Sequence, residues 1–255
     1  MAGADGLAGK VALVTGASSG IGEEFCRQLA TRCDVIIAVA RRRDRLQTLQ
    51  QELAELTELH IVEADLVTVE GVAHTMEMLR QKGPVDMLVN NAGFSPYGTF
   101  IDSPIGDQRR MLELHCDAAI TLTRAALPFM RERNAGQIIN VSSLGSFLPG
   151  PMLAVYGGSK SFLNYFSLAL QKELAETAIK VQALCPGLVR TEIHEPMKDQ
   201  GFSPESFPDE MWMEAAEVVT ASLEALASDK VLVVPGEGNL ALARMGAQGL
   251  LDALG

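Results

Sequence analysis

The sequence predicts an α/β domain built as a doubly wound, seven-stranded parallel sheet with helices on both faces. Three observations predict it. Short runs rich in Val, Ile and Leu recur along the 255 residues and alternate with segments of helical periodicity. The first run passes directly into a glycine-rich turn and a helix. The residues able to do chemistry fall at the carboxyl ends of the predicted strands, where such sheets bind ligands.

The elements follow in order. Residues 1–9 are read as a short flexible N-terminus without a basic start and apolar run, so no secretory signal is expected and the chain is placed in the cytoplasm. Lys10–Thr15 is a buried strand leading into Gly16-Ala17-Ser18-Ser19-Gly20-Ile21-Gly22. The glycines allow a tight turn, and the N-terminus of the following helix, with Ile21, Phe25 and Leu29 on one face, offers unpaired N–H groups to an anion. The spacing is G-x-x-x-G-x-G rather than G-x-G-x-x-G, and alone it fits an ordinary strand-to-helix turn equally well.

Val35–Ala40 is the second strand. A carboxylate at its end would bind a ribose diol, but Ala40 stands there, followed by Arg41-Arg42-Arg43. In a chain of net charge −11, three adjacent arginines suggest a seat for a 2′-phosphate. Charge-assisted hydrogen bonds of ~1.5–3 kcal/mol each would favour NADP over NAD by roughly tenfold or more. The plain alternative is a solvated helix start, since Asp44, Arg45 and Glu52 are charged too.

The alternation continues with a helix over about 43–56, the strand Leu59–Glu63 and the turn Ala64-Asp65-Leu66. A helix around 69–81 ends at Gly83-Pro84, and the strand Val85–Val89 enters Asn90-Asn91-Ala92-Gly93. A long helix over roughly 108–133 and the strand Gln137–Val141 lead to Ser142-Ser143. After the helix that carries Tyr156 come the strand Ile179–Leu184 and the stretch Pro186-Gly187-Leu188-Val189-Arg190-Thr191. Residues 192–213 combine Gly, Pro and Ser with apolar anchors and read as a mobile lid. A helix near 214–227 precedes the last strand, Lys230–Val234, and residues 236–255 form a leucine-rich tail able to pack on its own core or on a second subunit. No linker or repeat interrupts the pattern, so one domain is expected over 1–255.

Composition narrows the function. With 47% hydrophobic and 21% charged residues the chain reads as soluble and globular. Its negative charge argues against nucleic acid or an anionic membrane as partner, and no apolar stretch reaches spanning length. Cys26, Cys33, Cys116 and Cys185 lack C-x-x-C spacing and read as reduced, buried thiols. His60, His74, His115 and His194 form no metal spacing, so no metal is expected.

The stretch with the clearest chemistry is Tyr156-Gly157-Gly158-Ser159-Lys160, which opens a long helix with a broad apolar face. Spacing of four places the phenol and the ammonium on one helix face. Free tyrosine has a pKa of about 10. A lysine charge ~4 Å away would favour the phenolate by up to ~4 kcal/mol at an effective dielectric of ~20, bringing the phenol toward neutral pH, where general acid catalysis is effective. Alone, Y-x-x-x-K is a weak signal, because most such pairs lie on helix surfaces.

Taken with Thr15-Gly16-Ala17-Ser18-Ser19-Gly20-Ile21-Gly22, Asn90-Asn91-Ala92-Gly93, Ser143 and Pro186-Gly187 with Thr191, in this order over about residues 10–195, the chain resembles the single-domain short-chain dehydrogenase/reductase family. The resemblance implies a Rossmann-type fold and roles residue by residue. Tyr156 would donate a proton to a substrate carbonyl, Lys160 would lower its pKa and bind the nicotinamide ribose, and Ser143 would hold the carbonyl oxygen. Gly16, Ser18, Ser19, Gly20, Ile21 and Gly22 would contact the pyrophosphate side of the cofactor. Asp65 with Leu66 would meet the adenine. Asn91, Ala92 and Gly93 would border the cofactor, and Pro186, Gly187, Val189 and Thr191 would meet its carboxamide end. Ala40 followed by Arg41 is similar to the NADP(H)-preferring members, which makes Arg41 the first candidate for the 2′-phosphate, with Arg42 beside it and Ser18 able to assist. His115 stands where the family often has an asparagine that holds a water in a proton relay to the lysine. A histidine could hold that water, the relay could be absent, or the ring could simply pack in the helix. Family analogy also implies a homodimer or homotetramer.

The expected reaction is NADPH-dependent reduction of a ketone to a secondary alcohol, reversible as an alcohol dehydrogenase. Phe94, Tyr97, Leu144, Phe147, Leu148, Met152, Leu153, Met197, Phe202, Phe207, Met211 and Trp212 are candidate walls of an apolar pocket for an aryl, steroid-like or acyl ketone. Glu192, Glu195 and Asp199 disfavour a strongly anionic substrate unless they face solvent. A second reading is a regulatory protein that binds NADP(H) with little turnover. A sugar-nucleotide epimerase fits less well, because few residues follow Thr191.

Overall fold

Parallel pairing sets the architecture. The computed structural model describes residues 10–254. Its strands are β1 (Val11–Thr15), β2 (Val35–Ala40), β3 (Glu58–Glu63), β4 (Met87–Asn90), β5 (Gly136–Val141), β6 (Ile179–Leu184), β7 (Leu188–Val189), β8 (Trp212–Met213) and β9 (Leu232–Val233). Seven of them form one sheet in the order β3-β2-β1-β4-β5-β6-β9, every pair parallel. The order reverses between β1 and β4, which opens the crevice at their carboxyl ends where α/β sheets hold ligands.

Parallel strands covered on both faces need apolar residues in both phases of the pleat, which explains the near-continuous apolar runs. Along β1, Ala12 and Val14 enter one core while Leu13 enters the other. The first core is closed by α1 (Gly20–Ala30), α2 (Arg43–Leu53) and α8 (Ala215–Ala225) through Phe25, Leu29, Leu46, Leu49, Val218 and Leu223. The second is closed by α3 (Val69–Lys82), α5 (Ala118–Arg133) and α6 (Ala154–Glu173) through Val72, Leu79, Leu122, Met130 and Leu170.

The seven-stranded doubly wound sheet is as expected from the sequence, with differences at the ends of elements. The long central helix begins earlier, as α4 (Ile105–Leu112), and passes through a π-helical turn, Glu113–Asp117, before α5. The last strand shrinks to two residues, because β9 meets only the end of β6, pairing Leu232 with Ala183 and Val233 with Leu184. The ribbon β7–β8 was not expected; it pairs Leu188 with Trp212 and Val189 with Met213 and ties the base of the 192–213 segment together. That segment contains a short helix, α7 (Glu195–Lys198). The C-terminal residues form α9 (Glu237–Asp252), seated by buried Asn239 and Ala243. At Gly246 a side-chain carbon would lie 2.1 Å from the Phe147 carbonyl oxygen, so the glycine is what lets α9 approach that loop. The reading of residues 1–9 as flexible lies outside the described residues, as does Gly255.

The four cysteines are free, and burial pushes the Cys33 and Cys185 thiols up to about 12. Among the described residues no helix is long and apolar enough to cross a membrane, and no three His, Cys, Asp or Glu side chains cluster to hold a metal.

Candidate active site

The glycine turn is shaped by two left-handed residues, Gly16 (φ +68°) and Gly20 (φ +56°). It is locked from behind by the loop after β4. Asn91 Nδ2 donates to the Thr15 carbonyl at 2.9 Å, and Thr15 Oγ1 accepts the Asn91 and Ala92 N–H groups at 2.9 Å each. A side-chain carbon at Gly22 would lie 2.4 Å from both Gly16 O and Asn91 Nδ2. Asn91 therefore braces the turn from within rather than standing at its open side. Ser19, at the N-cap of α1, makes no side-chain cap bond, so the first N–H groups of α1 are available to an anion. On the other side of the crevice Thr191 touches the turn: a Cβ at Gly20 would lie 2.9 Å from its methyl group. Pro186 is joined to the Ser143 region by its carbonyl, which accepts the Leu144 N–H at 2.7 Å.

Of the three arginines after β2, Arg42 is the one that reaches the turn. It donates to Ser18 Oγ through Nε at 3.2 Å, to Ser18 Oγ and Ser19 Oγ through one terminal nitrogen at 3.1 and 2.7 Å, and to Glu192 Oε2 through the other at 2.8 Å. Arg45 lies 3.3 Å from the same carboxylate, and Arg43 pairs with Glu63. Arg41 is exposed. The sequence puts Arg41 first; in the structure it is Arg42, extended at the N-cap of α2 (φ −91°, ψ 90°), whose side chain lies over the glycines. Asp65 stays at the rim, accepting the Val67 N–H at 3.2 Å, with Arg110 3.9 Å away.

Ser143, Tyr156 and Lys160 come together at the ends of β5 and α6. Ser143 is the N-cap of a single 3-10 turn, its hydroxyl accepting the Gly145 N–H at 3.0 Å. Burial pushes the Tyr156 phenol above its ordinary pKa, and the Ser143 hydroxyl beside it acts in the opposite direction. Lys160 is buried, with its Nζ donating to the Val141 carbonyl at 2.8 Å and lying 5.8 Å from the Tyr156 ring centroid. Burial pulls its ammonium down to about 8. The structure thus differs from the sequence-based picture of an ammonium lowering the phenol: the Lys160 charge is directed at the end of β5, and burial is the larger influence on Tyr156.

His115 is also buried, and both of its ring nitrogens have partners. Nε2 lies 3.3 Å from the Phe94 N–H, which can only donate, so in the neutral ring Nδ1 carries the proton. Nδ1 then donates to Ser159 Oγ at 2.9 Å, and Ser159 donates to the Tyr156 carbonyl at 2.7 Å. The chain Phe94–His115–Ser159–Tyr156 is a bracket between the loop after β4 and α6, and it leaves no ring nitrogen free to hold a relay water. Gly93 makes room for it, since a Cβ there would lie 2.8 Å from Nε2. Burial, reinforced by the Lys160 charge, holds the His115 pKa well below its ordinary value.

A stability prediction follows with its sign fixed. In the unfolded chain His115 takes up a proton near pH ~6.5. In the folded chain it stays neutral until much lower pH, so the unfolded state binds more protons and stability is lost as pH falls below ~6.5, by up to ~1.4 kcal/mol per pH unit. Asparagine does not titrate. The stability difference between wild type and His115→Asn should shift in favour of the variant from pH 7 to pH 5 in urea unfolding. A constant difference would mean that His115 is not held neutral.

Beside Tyr156 a small cleft opens, lined mainly by Pro96, Phe100, Met111, Met152 and Val155, with Ser103 and Gln108 as polar members. Pro96, Met152 and Val155 fall in the 94–98 and 144–155 stretches that the sequence also marks as pocket walls; Phe100 and Met111 were not expected. Tyr97, Phe202, Phe207 and Trp212 instead form an aromatic cluster with His194 that packs the 192–213 segment against the Phe94–Gly98 loop. The Tyr97 N–H also donates to Gln200 Oε1 at 2.5 Å. Leu144 is core rather than wall. Sequence reasoning missed Asn90, Asn140 and Ser167, a buried ladder beneath the site in which Asn90 Nδ2 donates to Asn140 Oδ1 at 2.8 Å and Asn140 Nδ2 to Ser167 Oγ at 2.9 Å. Polar residues at the strand ends, Asn90-Asn91 and Asn140, were the available signal.

Comparison with known proteins shows the family. The short chain dehydrogenase family profile matches residues 10–201. An uncharacterized oxidoreductase of Staphylococcus epidermidis is 33% identical over 187 residues, covering 73% of this chain and 80% of that protein. A short-chain dehydrogenase from Sphingobium yanoikuyae, solved in complex with NADPH, superposes with a TM-score of 0.83 at 29% identity over 95% of both chains. A bulky-bulky ketone specific alcohol dehydrogenase from Comamonas testosteroni gives 0.79 at 27% identity over 95% of this chain and 94% of that one. The family match runs from the glycine turn through the Tyr156 helix to Thr191, and the chain therefore belongs to the short-chain dehydrogenase/reductase family and is an oxidoreductase.

Proposed function

We propose that the protein is an NADPH-dependent reductase of apolar ketones, with Tyr156 as proton donor, Ser143 holding the carbonyl oxygen and Lys160 supplying positive charge beneath them. The observation that carries this reading is the junction of the Ser143–Tyr156–Lys160 group with the glycine cradle across one crevice. The cradle fits a dinucleotide: Gly16, Gly20 and Gly22 leave no room for side chains, and the start of α1 presents free N–H groups. Gly16 to Gly22, Ala92, Gly93, Val189 and Thr191 would hold the cofactor, with Arg42 at its 2′-phosphate and Asp65 and Leu66 toward the adenine. When bound, the nicotinamide supplies the two-electron reduction.

The chain's own residues do the rest. Ser143 and Tyr156 aim two hydroxyls at one carbonyl oxygen and stabilise the charge that develops there. Because burial keeps the phenol protonated, Tyr156 is set to give a proton to that oxygen, which favours ketone reduction over alcohol oxidation at neutral pH. Lys160 is held against Val141, and the ladder of Asn90, Asn140 and Ser167 fixes the ends of β4 and β5 beneath it. His115 positions Tyr156 through Ser159. Residues 192–213 act as the lid over the apolar cleft. The bulky-ketone specificity of the Comamonas testosteroni relative supports an apolar, bulky substrate here.

The test is loss of nicotinamide absorbance with NADPH and with NADH across aryl, steroid and acyl ketones. Turnover with NADPH on bulky ketones is the expected result; a preference for NADH would overturn the cofactor assignment. Arg42→Ala should weaken NADPH by about ten- to a hundredfold, as loss of one or two charge-assisted hydrogen bonds implies, and should leave NADH nearly unchanged. Arg41→Ala should change both by less than about threefold. Equal effects of the two substitutions would show that the turn at Arg42 does not select the phosphate.

A further inference from the structure

The arginines after β2 already hold an anion, and it comes from the chain itself. Glu192 is the first residue of the 192–213 segment. Its carboxylate sits 2.8 Å from one terminal nitrogen of Arg42 and 3.3 Å from Arg45, although it is 150 residues from Arg42 in sequence. Nε and the other terminal nitrogen of Arg42 are engaged by Ser18 and Ser19 of the glycine turn. Two sides of the guanidinium therefore go to the cradle, and the outward nitrogen goes to Glu192. A second anion that takes that outward edge, and Arg45 beside it, competes with the Glu192 carboxylate.

We infer that Glu192 is a specificity-determining residue that stands in for the cofactor's 2′-phosphate, so that a nucleotide carrying this phosphate displaces Glu192 and releases the base of the lid. The inference rests on the reading of Arg42 as the 2′-phosphate site. A nucleotide without the phosphate leaves Arg42 and Arg45 on Glu192 and the lid clasped to the turn. One with it takes over the arginines, and the freed carboxylate moves with its neighbours.

The neighbours give the release a path. Glu192 opens a 3-10 turn, Glu192–His194, directly after Thr191, which touches Gly20. The His194 ring is stacked on Phe202 at 5.1 Å and meets Trp212 edge-on at 5.2 Å. Trp212 in turn lies under Arg190, 5.6 Å from its guanidinium carbon. A shift of Glu192 thus bears, two residues later, on the ring that joins the two halves of the aromatic cluster. Trp212 is the single tryptophan of the chain, so the protein carries its own reporter at this point.

The experiment uses adenosine 2′,5′-bisphosphate and adenosine 5′-monophosphate, which differ only by the 2′-phosphate and lack the nicotinamide that would interfere with tryptophan emission. Calorimetric titrations of wild type and Glu192→Gln are made at low ionic strength, where screening is least. Wild type should prefer the bisphosphate. Glu192→Gln should bind the bisphosphate about fivefold more tightly than wild type, the equivalent of one exposed ion pair no longer competing, with monophosphate affinity unchanged. Trp212 emission of wild type should change on saturation with the bisphosphate and not with the monophosphate, and Glu192→Gln should show the changed emission without ligand. If wild type and variant prefer the bisphosphate to the same degree, with emission unaffected by the substitution, Glu192 does not occupy the site, and the NADP reading stands. If neither protein distinguishes the two nucleotides, the assignment of Arg42 itself fails. The carboxylate is solvent-accessible and the substitution isosteric, so folding is not at risk.

Discussion

Tyr156→Phe is expected to reduce ketone turnover by about a thousandfold or more while leaving the fold and cofactor affinity in place. The argument begins with what the substitution removes. One oxygen is lost from a ring that otherwise keeps its contacts, the edge-on approach to His115 at 6.0 Å among them. The backbone of Tyr156 remains held by Ser159, which bonds its carbonyl and not its side chain. Packing is therefore almost unchanged, and the effect falls on chemistry. Proton transfer from a positioned side chain contributes roughly 10²–10⁴-fold, and in the proposed mechanism the same hydroxyl also shares the carbonyl oxygen with Ser143. A loss toward the upper part of that range follows. The check is single-turnover reduction with NADPH alongside a cofactor titration. Residual turnover above about a tenth of wild type would remove Tyr156 from the mechanism. Loss of cofactor binding as well would show that the phenol's main part is in holding the nicotinamide end.

Much of this site could be read from the chain, because the residues that carry it are local in sequence. The glycine turn, the Tyr156–Lys160 spacing and the Asn90–Gly93 loop each lie within a few residues, and strand periodicity placed them at one sheet edge. What could not be read depends on side chains meeting across the fold. Arg42 rather than Arg41 reaches Ser18 and Ser19, a choice between adjacent side chains that their identical chemistry does not reveal. The Val141 carbonyl, 19 residues upstream of Lys160, takes the ammonium because α6 packs over the end of β5. The family resemblance puts His115 at the position of a relay residue. The π-helical turn over Glu113–Asp117 and the approach of Phe94 make it a bracket instead. The β7–β8 ribbon is two residues per strand, too short for any periodicity, and the pairing of Glu192 with Arg42 spans 150 residues.

Lys160→Met should abolish activity without destabilising the protein at neutral pH, because the charge that serves the reaction is unfavourable to the fold. The ammonium is buried, and the structure gives it one hydrogen bond, to a neutral carbonyl. Its pKa of about 8 in the folded state lies below the ~10.4 of an unfolded lysine, a difference equivalent to a few kcal/mol. Below pH 8 both states are charged and the whole penalty is present. Between about pH 8 and pH 10.4 the unfolded chain keeps its proton while the folded one releases it, so wild type regains stability as pH rises. Methionine has neither penalty nor titration, although it leaves the Val141 carbonyl without this donor, which costs about 1–3 kcal/mol in the other direction. The variant should accordingly match or exceed wild type in urea unfolding at pH 7. Wild type should then gain on it by up to ~1.4 kcal/mol per pH unit above pH 8. Wild-type ketone reduction should fall with a midpoint near pH 8, where the folded ammonium is neutralised. A variant several kcal/mol less stable at pH 7, with no pH-dependent closing of the gap, would mean that Lys160 is held by stronger partners than Val141. The charge would then be part of the fold's stability as well as its chemistry.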